Sequence, residues 1–230
     1  MTQQHGVELR TAHKVSRRWP LISASVCVAL VVALGIVIAL RPTQAFSFDR
    51  EWMGEIVEHR SPFWLAPALV MNSLGAGIIG VIVVPVVTIV LLLLFRRPWA
   101  ALYYAVAIIV SAGVVQLLKA TVGRSRPKAI LVTADTGSFP SGHTANAATM
   151  ALVLAIVFPI VWVWVAGSCY TVAMMLSRTY LGAHWLSDTI GGLLLGVGVA
   201  AMVWAPFAAR LETERRAPHP PVWSRSSATL

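Results

Sequence analysis

Charge is what this 230-residue chain has least of: 12% of its residues are Asp, Glu, Lys or Arg, against 57% apolar ones. A water-soluble domain carries about 25% charged residues. Half that leaves too little polar surface to cover a globule, and mean hydropathy is +0.75, so the composition is that of a polytopic membrane protein. Acids are scarcer than bases, nine against 18. Cysteine is limited to Cys27 and Cys169, both inside apolar runs and without metal-ligand partners at useful spacing, which excludes a disulfide or metal framework. No long-period repeat is present. The formal net charge of +9 does not signal nucleic acid, because the basic residues sit at the ends of apolar runs and in one compact cluster.

What is present is a series of apolar runs. The first, Leu21 to Leu40, follows Arg10, Lys14, Arg17 and Arg18. A signal peptide has an apolar core of about 7 to 15 residues, whereas about 20 helical residues cross the hydrocarbon; this run is read as an uncleaved anchor. A stretch from Phe63 to Phe95 exceeds one crossing, and Pro67 and Asn72 place the span itself nearer Asn72 to Phe95. Arg96-Arg97-Pro98-Trp99 ends it with two charges, a helix breaker and an interfacial aromatic. Further spans are expected over 100–118, 144–158, up to Leu181 after a turn bracketed by Pro159 and Gly167, and over 186–207.

The expected fold is therefore all-α, a six-helix membrane bundle. Its parts are a cytoplasmic arm (1–20), a membrane domain (21–209) and a disordered cytoplasmic tail (210–230). The positive-inside rule puts both termini in the cytoplasm of a multi-pass plasma-membrane protein. Residues 48–59 alternate apolar and acidic side chains at helical spacing and suit a helix lying on the membrane surface as well as they suit a solvated loop.

Gly75-Ala76-Gly77-Ile78-Ile79-Gly80 matches the dinucleotide-binding fingerprint in letters only. That motif needs a preceding strand and a later acidic residue, and here it lies in an apolar span. Gly75, Gly77 and Gly80, like Gly192 and Gly196, are expected to let helices approach closely.

Three polar segments interrupt the apolar chain, and counting crossings brings them to one extracytoplasmic face. They hold Lys119 and Arg126, then Ser141, Gly142 and His143, then Arg178, His184 and Asp188. Three cations near a bilayer call for an anion, and arginine's planar fork matches phosphate oxygens. Ser141 suits a helix N-cap, and Gly142 lets an anion approach free N–H groups. Asp188, four residues after His184, could fix that ring's tautomer and free its other nitrogen for attack. His143, beside the anion, is placed to protonate a departing oxygen. Spacing alone leaves open which histidine attacks. Two carboxylates, Asp135 and Asp188, are too few for the usual Mg²⁺ or Ca²⁺ phosphatase site, so no metal or other cofactor is expected.

These residues resemble the signature of the type-2 phosphatidic acid phosphatase (lipid phosphate phosphatase) superfamily. Its three parts stand here as Lys119 through Arg126-Pro127, Pro140-Ser141-Gly142-His143, and Ser177-Arg178 through His184 to Asp188. The resemblance implies His184 as nucleophile forming a phosphohistidine, oriented by Asp188, and His143 as acid. It also implies Lys119, Arg126, Ser141, Gly142 and Arg178 as phosphate binders. Vanadate-dependent haloperoxidases share the signature but are typically soluble and larger, so the chain looks like the membrane phosphatase branch. The substrates implied are an undecaprenyl-type diphosphate, phosphatidic acid or phosphatidylglycerol phosphate, drawn from the bilayer. A rival reading keeps the fold without catalysis, as a lipid-binding or transport protein. The His143, His184 and Asp188 set, which binding alone does not need, speaks against it. Nothing in the sequence fixes the oligomeric state.

Overall fold

The computed structural model describes residues 17–75, 77–217 and 222. The expectations for residues 1–16, 218–221 and 223–230 lie outside them, while residues 210–216, expected in the disordered tail, are helical. Every regular element among the described residues is helical. In chain order these are α1 (Arg18–Ala39), α2 (Ser47–Glu58), α3 (Pro62–Gly75), a π-helical turn (Ile79–Val83), α4 (Val84–Leu94) and α5 (Pro98–Val122). After a long loop come α6 (Gly142–Val157), α7 (Val161–Tyr180) and α8 (Leu186–Arg216).

α8 is the hub and touches α1, α5, α6 and α7, while α3 packs on α7. Small residues make the closest of these contacts. A Cβ on Gly192 would lie 2.5 Å from the Ser141 carbonyl oxygen, and one on Gly196 would lie 2.5 Å from that of Ala145. In a bilayer, where lipid is as apolar as leucine, such approaches hold helices together by dispersion. Tyr103, Tyr104, Val153 and Ala200 form one buried cluster, and Val31, Ile38, Phe139 and Leu195 another. The outer surface is apolar: Val26, Leu30, Ile36, Ile109 and Leu117 are all exposed, a face suited to lipid rather than water. Among the described residues three helices, α1, α5 and α8, are long and apolar enough to cross a membrane, and α3 with α4 would make a fourth if the bent pair is one span.

Several expected boundaries move. The second apolar stretch starts its helix at Pro62 and carries Pro67 inside α3 without breaking it. The interruption falls beyond Gly75, where the axis bends by 47° before α4. Gly75 and Gly80 do sit at close contacts, but nothing lies within 4 Å of a Cβ on Gly77, whose φ of +64° instead supplies the left-handed residue of the break. Gly167 is not at a turn: it lies inside α7, where its Cβ would come 2.9 Å from that of Ala151 on α6. Residues 48–58 of that segment are helical, and Asp49, expected among its solvated acids, is fully buried.

Two features position the site. Gly123, left-handed at φ +60°, caps α5 and turns the chain into the loop 123–141. Phe139 then anchors that loop from below. It is fully buried, with its ring over Gly191 of α8 and Gly35 of α1, and a cis peptide joins it to Pro140.

Candidate active site

The elements end where the polar segments begin. Lys119 lies in the last turn of α5, Gly142 and His143 in the first turn of α6, and Arg178 in the last turn of α7. His184 sits in the turn between α7 and α8, and Arg126 and Asp135 come down from the loop. All seven line one cavity of about 350 Å³. The first turn of α6 brings the positive end of its helix dipole to the same wall, a ready anion site.

His184 is 2% exposed. Its Nδ1 lies 2.7 Å from the Ser138 carbonyl oxygen, which can only accept, so Nδ1 carries the proton and Nε2 the lone pair. Arg126 Nη1 approaches that Nε2 at 3.4 Å while donating to the Ala183 carbonyl at 2.6 Å. Burial pushes the His184 pKa down to about 4, with neighbouring Asp188 working in the opposite sense. The ring is thus a neutral imidazole with Nε2 unprotonated, which is the state a nucleophile needs.

Asp188 does not hydrogen-bond that ring as expected. Its Oδ2 is 3.6 Å from Nδ1 and is taken by the Trp185 N–H at 2.9 Å, closing the N-terminus of α8. Oδ1 accepts from Arg124 Nη1 at 2.5 Å. The nearer partner is Ser138, so Asp188 acts on His184 by charge and by shaping the turn. Arg124, only 2% exposed, also donates through Nη2 to Asp49 Oδ2 at 2.7 Å, and Asp49 accepts from the Ser187 N–H and hydroxyl at 2.9 and 2.6 Å. The surface helix α2 is thereby tied to the start of α8.

Of the cations expected to await an anion, Lys119 and Arg126 already have one. Asp135 Oδ1 lies 2.9 Å from Lys119 Nζ and 2.7 Å from Arg126 Nη2. Burial alone would raise the Asp135 pKa, but the Lys119 hydrogen bond and the two positive charges outweigh it and hold the carboxyl below its ordinary value. Burial lowers the Arg126 pKa, against the charges of Asp135 and Asp188. Arg178 is 2% exposed; its Nη1 donates to Asn72 Oδ1, and its Nε is buried with no partner among the described residues. His143 Nε2 lies 3.2 Å from the Asn72 carbonyl oxygen.

Ser141 stands apart from the cavity. It is fully buried, its N–H donates to the Asp188 carbonyl at 3.0 Å, and its hydroxyl caps α6 by accepting from the Thr144 N–H at 3.5 Å. Of the eight expected residues, Lys119, Arg126, Gly142, His143, Arg178 and His184 therefore meet in one cavity, while Ser141 and Asp188 brace it from behind. Ser138, Asn72, Asp49 and Arg124 were not singled out as site residues by sequence, and Asp135 was noted only for its charge. Asn72 did carry a signal, an amide inside an apolar run. Glu55, Glu58 and His59 of α2 bring ligand atoms within 4.8 Å of one another, but all three are exposed and outside the cavity.

Among the described residues, fold and cavity together define an all-helical protein with apolar, membrane-length helices and a cavity lined by cations and two histidines. A family model described as the PAP2 superfamily matches residues 100–211. Decaprenylphosphoryl-5-phosphoribose phosphatase of Mycobacterium tuberculosis is 31% identical over 164 residues, which cover 67% of this chain and 87% of that protein. Undecaprenyl-diphosphatase of Sulfolobus acidocaldarius is 42% identical over 59 residues, 26% of this chain and only 28% of that protein. The crystal structure of a transmembrane PAP2-type phosphatidylglycerolphosphate phosphatase from Bacillus subtilis superposes with a TM-score of 0.68 at 25% identity, over 79% of this chain and 94% of that one. The chain belongs to the PAP2 superfamily, and these relatives are lipid phosphatases by name.

Proposed function

We propose that the chain is an integral membrane phosphatase that hydrolyses a lipid phosphate or polyprenyl diphosphate through a phosphohistidine. The observation that carries the reading is the single cavity in which His184, with Nε2 unprotonated, shares the walls with His143, Lys119, Arg126 and Arg178. His184 Nε2 attacks phosphorus and the bond to the leaving oxygen breaks. His143 acts as an imidazolium: it keeps Nε2–H on the Asn72 carbonyl, gives that oxygen its Nδ1 proton and is left neutral. The deprotonated ring then takes a proton from water, whose oxygen attacks phosphorus, and the P–N bond breaks to release phosphate. The cations and the first turn of α6 hold the equatorial oxygens, whose charge grows in the transition state. No metal enters these steps.

The cavity lining also includes apolar Ile108, Val115 and Ala145, which fit the start of a hydrocarbon tail. Polyprenyl-linked phosphates are the favoured class, supported by the polyprenyl names of two relatives. We further propose six crossings, with α6 and α7 as the fourth and fifth, both termini cytoplasmic and the cavity extracytoplasmic.

The test is phosphate release by purified protein in detergent with chelator present, across undecaprenyl diphosphate, undecaprenyl phosphate, phosphatidic acid and phosphatidylglycerol phosphate. Release from at least one lipid, abolished by His184→Ala, is expected. Release by His184→Ala near the wild-type rate would overturn the mechanism.

A further inference from the structure

The motifs that define the site lie in the last turn of α5 and beyond, yet a residue of α3 touches two of them. Asn72 accepts a hydrogen bond from Arg178 Nη1 through its side-chain oxygen and lies 3.2 Å from His143 Nε2 through its main-chain oxygen. A carbonyl oxygen can only accept, so His143 presents Nε2–H to Asn72, and Nδ1 is left with no partner among the described residues. One residue thus holds the Nε2–H of the proposed acid, whose imidazolium form carries the transferable proton on Nδ1, and orients a phosphate-binding guanidinium.

The neighbourhood is built to keep it there. Gly75, one turn on, has no room for a side chain: a Cβ would come 2.8 Å from His143 Cδ2 and 2.6 Å from Met174 Cε. Beyond the helix break, Asn146 of α6, three residues after His143, donates to the Gly80 carbonyl at 3.2 Å. On the α7 side, Ser177 donates to the Ala68 carbonyl at 2.8 Å. Bonds on both sides of the break therefore hold α3 against α6 and α7, with Asn72 among them. An amide inside an apolar helix is costly unless it is used, and its partner here is an arginine whose Nε is buried and unpartnered among the described residues.

We propose that Asn72 is a positioning residue for the phosphatase reaction, aligning Arg178 on the phosphoryl oxygens and fixing His143 with Nδ1 toward the leaving group. The proposal rests on the catalytic reading above. The glycine pattern 75–80, which imitates a nucleotide-binding loop in letters, gains a different purpose: it lets α3 come close enough to the site to supply Asn72.

Asn72→Leu is the discriminating variant, since leucine has the same branched heavy-atom skeleton, suits a membrane helix better than asparagine, and keeps the main-chain acceptor for His143 while its side chain cannot accept from Arg178. In detergent, with the best lipid of the substrate panel, kcat/KM is expected to fall at least about 10-fold, the worth of a hydrogen bond to a charged group. Orthovanadate, a mimic of the phosphoryl transition state, should bind more weakly by a similar factor, with no fall in the unfolding temperature. Asn72→Ser, which restores an acceptor, should recover part of both losses. Wild-type kcat/KM and vanadate affinity in Asn72→Leu would overturn the inference. Should the wild-type protein hydrolyse no lipid, the phosphatase reading fails separately, and vanadate binding by titration calorimetry still decides the Asn72–Arg178 link. Equal affinity in wild type and variant, or no binding by either, counts against it.

Discussion

Asp135 offers both carboxylate oxygens to Lys119 Nζ, at 2.9 and 3.0 Å, and shares one of them with Arg126. The chain therefore seats an anion of its own on two of the three cations proposed to bind substrate. An incoming phosphate must displace that carboxylate or bind beside it, and like charges close together cost free energy. Asp135→Asn, which keeps the shape and removes the charge, should tighten orthovanadate and inorganic phosphate inhibition by about 10-fold, corresponding to roughly 1.4 kcal/mol. Competitive inhibition constants measure this. Weaker inhibition would mean that Asp135 chiefly holds the two cations in place.

The depressed pKa of His184 fixes the sign of a pH effect. The ring must be neutral to attack, and burial holds its pKa at about 4 rather than the ordinary 6.5. Nε2 is then available at every pH above about 4, and protonation removes it only as the pH falls through that value. Nitrogen-15 NMR of histidine-labelled protein in detergent should show one ring with a protonated Nδ1 and a bare Nε2, unchanged from pH 8 to pH 5. His184→Gln identifies that signal by its loss. A ring that titrates near 6.5 would mean that the site is wetter than its burial indicates.

Arg124 is a buried charge beside the site, and its two carboxylate partners, Asp49 and Asp188, lie far apart in the chain. Removing one of them leaves a buried guanidinium half paired, and breaking a buried ion pair costs about 3–5 kcal/mol. Asp49→Ala should therefore lower the unfolding temperature in detergent more than Asp135→Asn does, and should reduce kcat without tightening vanadate. Thermal unfolding of the two variants side by side makes the comparison. Equal stability would show that Asp188 alone satisfies Arg124.

The sequence disclosed the side chains that do chemistry more fully than the atoms that aim them. Lys119, Arg126, His143, Arg178 and His184 stand out because polar groups are few in an apolar chain, and crossing helices bring their segments together. Ser138 left no trace, since it orients His184 with a main-chain oxygen that any residue would own. Asp188, four residues from His184, carries the spacing of a direct partner, but the turn before α8 aims its carboxylate at Trp185 and Arg124 instead. Asp49 looked solvated because helical periodicity describes one helix and not the loop folded over it. The break after Gly75 was hidden for a related reason: glycine permits both close packing and a left-handed turn, and only the neighbours decide which.

The bridge from Asp49 through Arg124 to Asp188 also bears on biogenesis. Asp49 and Arg124 leave the ribosome long before Asp188, which opens the last helix. Until that helix is synthesised, the guanidinium lacks its second carboxylate, and His184, made only four residues earlier, has no finished turn to hold it. The turn that holds His184 is therefore completed only with the arrival of α8, so the proposed site is assembled after every other described helix has been made.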